Sequence, residues 1–228
     1  MTSLSGLRRL SRPEPGPAAA APGAGRDHAE GAPLERCELC STEIAATHSH
    51  VADLQGQRLL CSCRPCYLLF TDEGAGAGRF RALPDASRRV VGAAISAGQW
   101  DALQIPVDVA FLFRQGDVRP WTACYPGPGG ATESLLDLAS WDDVLAENPV
   151  LGSAAPDVEA VLLRRDGGTV EAWLVPIDTC YSLVGLVRRD WVGFSGGEQV
   201  WAGIAAFFRG LDARSGSVDR HGRRAADG

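Results

Sequence analysis

Four cysteines in two Cys-x-x-Cys pairs are the residues of this chain whose types and spacing most clearly specify chemistry. The segments CELC and CRPC contain Cys37, Cys40, Cys63 and Cys66. Each pair lets two thiolates bind one ion, and two pairs complete the tetrahedral shell that is typical of a structural Zn²⁺ site. Such a shell leaves no open position for a substrate, so these cysteines predict a role in architecture rather than in catalysis.

The sequence around these pairs predicts a treble-clef-like zinc module. The first pair forms a knuckle, HSHVADL and QRLLCS predict two strands of a hairpin, and the second pair begins a short helix. We expect Zn²⁺ in this module, with Zn–S distances of about 2.3 Å. Iron (Fe) in a rubredoxin-like electron-transfer site is the alternative, although CRPC lacks the Cys-Pro-x-Cys-Gly pattern of the usual second rubredoxin knuckle.

Three more side chains of the module are alternative metal ligands. If a two-residue turn at 55–56 joins the two strands, His50 faces Cys61. His48 then faces Cys63, and the period of two places all four side chains on one sheet face. His48 either supports the zinc site or replaces a cysteine in it, while His50 and Cys61 form a second thiol–imidazole pair. The other interpretation is that both histidines lie on a solvated face of the hairpin.

Composition divides the chain into four parts. Residues 1–33, rich in Ala, Pro and Gly, and the polar residues 212–228 are predicted to be disordered tails. Residues 34–72 are the zinc module. Residues 80–211 are predicted to form a domain in which an antiparallel sheet carries packed helices. The predicted fold class is therefore α+β, with the small zinc module preceding the larger domain.

The bulk properties limit the location and the partners. With 45% hydrophobic residues, the 228-residue chain has enough apolar side chains for a folded core. A net charge of −6 and a pI of about 5.2 argue against nucleic acid as a partner. No apolar run approaches the roughly 20 residues of a membrane span, and Arg8-Arg9 is not followed by the apolar segment of an export signal. We therefore predict no membrane span and a cytoplasmic location.

Apolar patterns predict the elements of the larger domain. IPVDVAFLFR with WTACYPG, and VEAVLLRR with TVEAWLVPI, are predicted to form two hairpins. Asp178 is predicted to cap the helix after the second hairpin, and SGGEQVWAGIAAFFRGL is predicted to form an amphipathic last helix. Cys124 and Cys180 lie in apolar patterns and are predicted to pack in the core.

No catalytic constellation is recognisable in the sequence, so no catalytic residue is predicted. The stretch 80–211 contains no histidine, which argues against a Cys-His or Ser-His hydrolase. The Gly/Pro-rich segment YPGPGGATES, 125–134, is predicted to be a loop after a strand. A ligand-binding role for that loop is the basis for an enzyme of unknown reaction as an alternative function.

Taken together, these motifs resemble an uncharacterised, mostly actinobacterial family of unknown biochemical function. The resemblance covers residues 34–211 and is carried by CELC, HSHVADL, RLLCSCRPCYLLF, WDALQIPVDVAFLFR, YPGPGGATES and LVPIDTCYSLVGLVRRDWVGFSGG. Members of that family are often encoded beside uptake [NiFe]-hydrogenase genes. The resemblance therefore implies an association with hydrogenase assembly or function, and it implies no particular activity.

These observations lead to one main hypothesis. We expect a non-catalytic zinc-binding accessory protein that assists [NiFe]-hydrogenase assembly or function through protein–protein contacts. Its partner would be a [NiFe]-hydrogenase subunit or a maturation factor, as the resemblance implies. A rubredoxin-like iron protein and an enzyme using the 125–134 segment are the alternatives.

Overall fold

The structure is a computed structural model that describes residues 35–72, 74–116, 120–134 and 138–225. The predicted N-terminal tail, 1–33, lies outside the described residues. The fold is α+β, as predicted, and contains a small cysteine-bearing sheet and a larger seven-stranded sheet. In the described part of the chain, no helix is both long enough and apolar enough to cross a bilayer.

The cysteine-bearing part has the predicted order of a knuckle, a hairpin and a short helix. Its elements are β1 (Glu35–Arg36), β2 (Glu43–Ile44), β3 (Ser49–Asp53), β4 (Arg58–Ser62) and α1 (Arg64–Leu68). A further strand, β5 (Phe80–Ala82), pairs with the free edge of β3, so the small sheet has the order β4-β3-β5. The small sheet therefore includes residues beyond the predicted end of the module at residue 72.

The turn between β3 and β4 sets the register that the sequence predicts. His50 pairs with Cys61, as expected when Gln55 and Gly56 form the centre of the turn. Gly56 is needed there, because a Cβ atom at this position would lie 2.7 Å from Asp53 Oδ2. The turn thus decides which side chains of the two strands face each other.

Asp53 anchors this turn. Its side chain is 1% exposed and accepts two hydrogen bonds from the Arg79 guanidinium, at 3.0 and 2.9 Å, and one from the Gly56 N–H at 3.0 Å. These bonds, with the positive charges of Arg79 and Arg58, hold the pKa of the Asp53 carboxyl below its ordinary value. Asp53 therefore ties the turn to the chain just before β5.

Replacing Asp53 with asparagine is expected to flatten the pH dependence of stability. Because the native pKa of Asp53 is lowered, its contribution is complete above the unfolded pKa of about 3.9 and is lost as the pH falls through the native value. Wild type should lose more free energy of unfolding than Asp53→Asn between about pH 5 and pH 3, as measured by urea unfolding.

The control for this experiment is Asp85→Asn, which removes a carboxylate from an exposed ion pair with Arg64. Exposed pairs contribute little, so this variant should follow wild type. Loss of a bound metal at low pH would lower the free energy of unfolding of all three proteins. The difference in that loss between wild type and Asp53→Asn therefore reports on Asp53 alone. Equal slopes for wild type and Asp53→Asn would contradict the role of this carboxylate.

The larger sheet has seven strands in the order β12-β6-β11-β10-β7-β8-β9. Neighbouring strands are antiparallel except β12 and β6, which are parallel. The strands are β6 (Arg88–Val91), β7 (Val109–Arg114), β8 (Trp121–Gly127), β9 (Gly130–Ser134), β10 (Glu159–Asp166), β11 (Thr169–Pro176) and β12 (Gly216–Asp219). Both predicted hairpins are present, although β7 begins at Val109 rather than at Ile105 because the chain bends at 106–108.

Helices cover both faces of this sheet. They are α2 (Ala97–Ala102), α3 (Leu138–Glu147), α4 (Ile177–Asp190) and α5 (Gly197–Arg214). One core lies under α4 and α5 and includes Phe111, and the other lies under α2 and α3 and includes Leu112 and Trp141. Adjacent strand residues point to opposite faces, which separates the two cores. The first core also includes Ala52 of β3 and Leu83, which directly follows β5, so the two sheets share it.

Residues 212–225 are ordered, whereas composition predicts a disordered tail over 212–228. The helix α5 continues to Arg214, and β12 pairs with the edge strand β6. Backbone hydrogen bonding offsets the polar composition: the Gly216 N–H donates to the Ser87 carbonyl at 3.0 Å, and Val218 is buried. The prediction is thus corrected for 212–225, and the last three residues lie outside the described part of the chain.

The Gly/Pro-rich segment 125–134 is a tight hairpin and not the predicted loop. It contains the end of β8, a short turn and all of β9, with Tyr125 opposite Thr132. Pro126 is tolerated in β8 because the pairing of β8 with β7 ends at Cys124, so no ladder hydrogen bond to β7 is lost. The predicted loop is thus reduced to the short turn between β8 and β9.

Candidate metal centre

The first cysteine pair lies in the knuckle between β1 and β2. The chain reverses there because the Cys37 N–H donates to the Thr42 carbonyl at 2.8 Å and the Ser41 N–H donates to the Cys37 carbonyl at 2.7 Å. Cys37 is 1% exposed, whereas Cys40 is exposed. The knuckle therefore directs one thiol into the structure and leaves the other at its surface.

The second pair lies where β4 passes into α1. Cys63 is the last extended residue before the helix, and Cys66 is in its first turn, after Pro65. Proline fits this position because the first helical residues need no hydrogen-bonded N–H. The strand and the helix thus bring the second pair of sulfurs to the first pair.

The four sulfurs form one cluster, as the spacing predicts. The Sγ atoms of Cys37, Cys40, Cys63 and Cys66 all lie within 4.8 Å of one another, and the Cys40 and Cys63 sulfurs are 3.6 Å apart. Four sulfurs placed tetrahedrally at 2.3 Å from a zinc ion would lie about 3.8 Å apart. The arrangement therefore fits a four-coordinate metal ion.

The surroundings favour thiolate at one end of the cluster. A hydrogen bond with the Thr42 hydroxyl, the Thr42 backbone N–H, and the Cys66 and Cys37 thiols lower the pKa of Cys40 to about 6. Burial opposes ionisation of Cys37, but hydrogen bonds from the N–H groups of Cys63, Cys40 and Leu39 outweigh it, so the pKa of Cys37 is also lowered. The sulfurs of the first cysteine pair are therefore the ones whose ionisation the surroundings favour.

The pKa of Cys66 moves in the opposite direction. Burial raises it, and so do the hydrogen bonds that its thiol shares with Cys40, Cys63 and Cys37. The same hydrogen bonds among the thiols thus favour ionisation of Cys40 and oppose ionisation of Cys66. Metal binding to such a cluster releases protons, because each bound sulfur is a thiolate.

His48, His50 and Cys61 form a second group beside this cluster. A ring nitrogen of each histidine and the Cys61 sulfur lie within 4.8 Å of one another, and the two imidazole centroids are 4.8 Å apart. Their placement on one sheet face is thus confirmed, while their role as ligands stays a prediction. Burial and the nearby Glu38, Glu35 and Cys37 raise the pKa of Cys61.

Asp178 is a residue of this group that the sequence did not reveal. The sequence predicts it as a helix cap, but α4 begins one residue earlier, at Ile177, and its N-cap residue is Pro176. The Asp178 carboxylate instead lies 2.8 Å from His50 Nδ1, across a sequence separation of 128 residues. Only the packing of α4 near β3 brings the two side chains together, so no local pattern could have predicted the contact.

Cys124 and Cys180 pack in the core, as predicted. Both are buried among the residues under α4 and α5. Burial raises the pKa of Cys124 to about 11 and that of Cys180 well above the ordinary thiol value. Burial thus opposes ionisation of both thiols, and neither belongs to the four-cysteine cluster.

Two clefts border the small sheet. The larger, about 710 Å³, lies between the β3–β4 turn and the large sheet, and its apolar wall includes Leu54, Phe113 and Tyr181. The smaller, about 480 Å³, is lined by His48 and His50 together with residues from the start of α4. His48 and His50 of the second group therefore border a cleft, whereas Cys61 is not among its lining residues.

Comparison with known proteins gives the family. A model described as a family of unknown function, DUF5947, matches residues 36–215. The chain belongs to the DUF5947 family. The DUF5947 match includes all four clustered cysteines and both helices α4 and α5, so it covers the small sheet and all of the large sheet except β12. Neither the curated proteins nor the solved structures give a significant match.

Proposed function

We propose that the chain is a non-catalytic zinc-binding accessory protein that acts through protein–protein contacts. The cluster of four cysteine sulfurs is the observation that carries the proposal. Its ligands would be Cys37, Cys40, Cys63 and Cys66, which leave a tetrahedral ion no open position for a substrate. A bound ion would join the knuckle, the β3–β4 hairpin and α1, which are too short to be stable alone.

Zinc is favoured over iron because of how the second cysteine pair is placed. Cys63 and Cys66 lie at the start of α1, whereas a rubredoxin-like site would place them in a second knuckle. A knuckle followed by a helix that carries the last two ligands is the arrangement of a treble-clef zinc module. An iron centre of this kind would colour the aerobically purified protein, and we expect a colourless protein.

An exposed apolar corner between α4 and α5 supports the partner-binding part of the proposal. Val192, Phe194 and Trp201 are exposed there, and the Phe194 side chain is completely exposed. The corner is held in shape, because the Trp191 indole donates to the Gly193 carbonyl at 2.9 Å and the Trp201 indole donates to Ser195 O at 3.0 Å. Fixed, exposed aromatic side chains are typical of protein interfaces.

The partner we propose is a [NiFe]-hydrogenase subunit or a maturation factor. The support for it is the sequence resemblance to a family whose members are encoded beside hydrogenase genes. Affinity purification of the tagged protein from its native host should therefore recover a hydrogenase component. Failure to recover any such component, together with unchanged hydrogenase activity after deletion of the gene, would overturn this assignment.

Phe194→Ser is expected to weaken the complex without unfolding the protein. A central aromatic anchor contributes about 2 kcal/mol or more to binding, which corresponds to at least a roughly 30-fold loss of affinity. The matched control is Leu69→Ser, which removes another exposed apolar side chain, just after α1. The amount of partner recovered should fall with Phe194→Ser and stay unchanged with Leu69→Ser. Equal recovery with both variants would show that the corner is not the interface.

A further inference from the structure

The group of His48, His50 and Cys61 is separate from the four-cysteine cluster and brings two imidazoles and a thiol together. His50 in β3 and Cys61 in β4 are direct cross-strand partners. His48 lies just before β3 and, two residues from His50, faces the same side. Imidazole and thiolate together form a donor set that binds zinc and other divalent transition metals.

The hydrogen bonds of His48 fix which of its nitrogens is available. Its Nδ1 atom lies 2.9 Å from the Ala45 carbonyl oxygen and 3.3 Å from Glu35 Oε2. Both neighbours are acceptors, so Nδ1 carries the hydrogen and Nε2 of the neutral ring carries a lone pair. Nε2 is fully buried and has no hydrogen-bond partner among the described residues, and the side chain is only 9% exposed.

His50 is held by a hydrogen bond at its Nδ1 atom as well. Its Nδ1 atom lies 2.8 Å from Asp178 Oδ2, so Nδ1 donates to the carboxylate, and in a neutral ring Nε2 is the nitrogen that carries the lone pair. A carboxylate that accepts from the far nitrogen of an imidazole is the usual support for a metal-binding histidine, because it orients the ring and makes it a better ligand. Both histidines thus have the tautomer that a metal-binding Nε2 requires.

We propose that His48 Nε2, His50 Nε2 and Cys61 Sγ form a second Zn²⁺ site, independent of the four-cysteine cluster. An ion there gives the buried Nε2 of His48 the partner it lacks, and an unpaired buried polar atom is otherwise costly. The carboxylates of Glu35 and Asp178 add negative charge around the cation.

Three protein ligands leave the fourth position of a tetrahedral zinc ion open. His48 and His50 also line the 480 Å³ cleft, from which water or a small ligand would reach that position, whereas Cys61 is not among the lining residues. The four-cysteine cluster has no such position. A zinc ion at the second site would therefore have a position for water or a small ligand in addition to holding structure.

Bound zinc per chain tests the proposal. The purified full-length protein is equilibrated with Zn²⁺, freed of unbound ion and analysed by mass spectrometry for metal content. Wild type should retain about two ions, and His48→Gln and Cys61→Ala should each retain about one. His221→Gln is the matched control, since His221 is exposed and outside the site, and it should retain both ions. If Cys61→Ala does not fold, His50→Gln replaces it, because it removes the ligand by an exchange of similar size.

The outcomes separate this proposal from that of the four-cysteine site. A wild-type protein that holds one ion, which His48→Gln retains, would overturn the second site and leave the four-cysteine site intact. Two ions retained by His48→Gln would also overturn it. One ion that is lost in His48→Gln but kept in Cys66→Ala would instead support the second site and overturn the first.

Asp178→Asn tests the positioning role of the carboxylate on a folded protein. Loss of the support for His50 should weaken zinc binding at the second site by about 10- to 100-fold, as measured by competition with a chelator. Circular dichroism spectra of the variant and wild type should coincide. Unchanged affinity would contradict the proposed support of His50 by Asp178.

Discussion

Replacing Cys37 with alanine is expected to remove about one zinc ion per chain and to destabilise the protein strongly. Cys37 is the most buried of the four clustered cysteines, at 1% exposed. Its sulfur accepts hydrogen bonds from backbone N–H groups of both cysteine pairs, at Cys40 and at Cys63. Loss of a structural metal is expected to lower the free energy of unfolding by about 4 kcal/mol or more. In a chain of this size, that corresponds to a fall in Tm of roughly 8–16 °C.

The measurement combines metal analysis with thermal unfolding followed by circular dichroism. Cys124→Ala is the matched control, because it removes another buried thiol, in β8, far from the cluster in sequence. It should lose little stability and no zinc. A Cys37→Ala protein with the zinc content and the Tm of wild type would show that the four cysteines do not hold a structural ion.

Trp173→Ala is expected to have the second largest effect. Trp173 is completely buried in β11, its indole donates to Asp212 Oδ1 at 2.9 Å, and its ring centroid lies 5.1 Å from that of Phe208. Truncation of a buried tryptophan leaves a cavity and costs about 3–5 kcal/mol. The expected fall in Tm is roughly 6–20 °C.

Two comparisons show what the ring contributes. Trp173→Phe keeps most of the apolar volume but removes the indole donor, so it should cost less than Trp173→Ala. Trp201→Ala, in the exposed corner, should change the free energy of unfolding little. Urea unfolding of the three variants measures how much free energy of unfolding each one loses. A Trp173→Ala protein as stable as Trp201→Ala would contradict the packing of α5 on the large sheet.

Local patterns predicted the parts of the molecule that short segments determine. The Cys-x-x-Cys spacing gave the four-sulfur cluster, because each pair is positioned by its own turn. The two-residue turn at 55–56 gave the pairing of His50 with Cys61, because turn length fixes the register of a hairpin. Alternating apolar residues predicted the two hairpins of the large sheet, because that alternation is the local pattern of a strand with one face in a core.

Features that depend on long-range packing could not be predicted in this way. The contact of Asp178 with His50 arises only when α4 packs near the small sheet. The strand β12 is polar in composition, and its pairing with β6 follows from the path of α5 rather than from its own pattern. The hairpin at 125–134 could not be predicted because its proline and glycine residues are typical of loops.

The large and small sheets meet at a shared core, which connects the metal centre to the rest of the fold. Ala52 of β3 packs in the same core as Ile177 of α4, next to Asp178. A bound metal that orders the β3–β4 hairpin would therefore also stabilise the beginning of α4. The exposed corner proposed as the interface lies at the other end of that helix, after Asp190.

X-ray absorption at the zinc edge tests the central claim most directly. The sample is the Cys61→Ala variant, which lacks the proposed second site, so that its spectrum reports on the four-cysteine cluster alone. We expect one zinc ion with four sulfur neighbours at about 2.3 Å. Iron in place of zinc, or nitrogen and oxygen neighbours in place of two or more sulfurs, would contradict it.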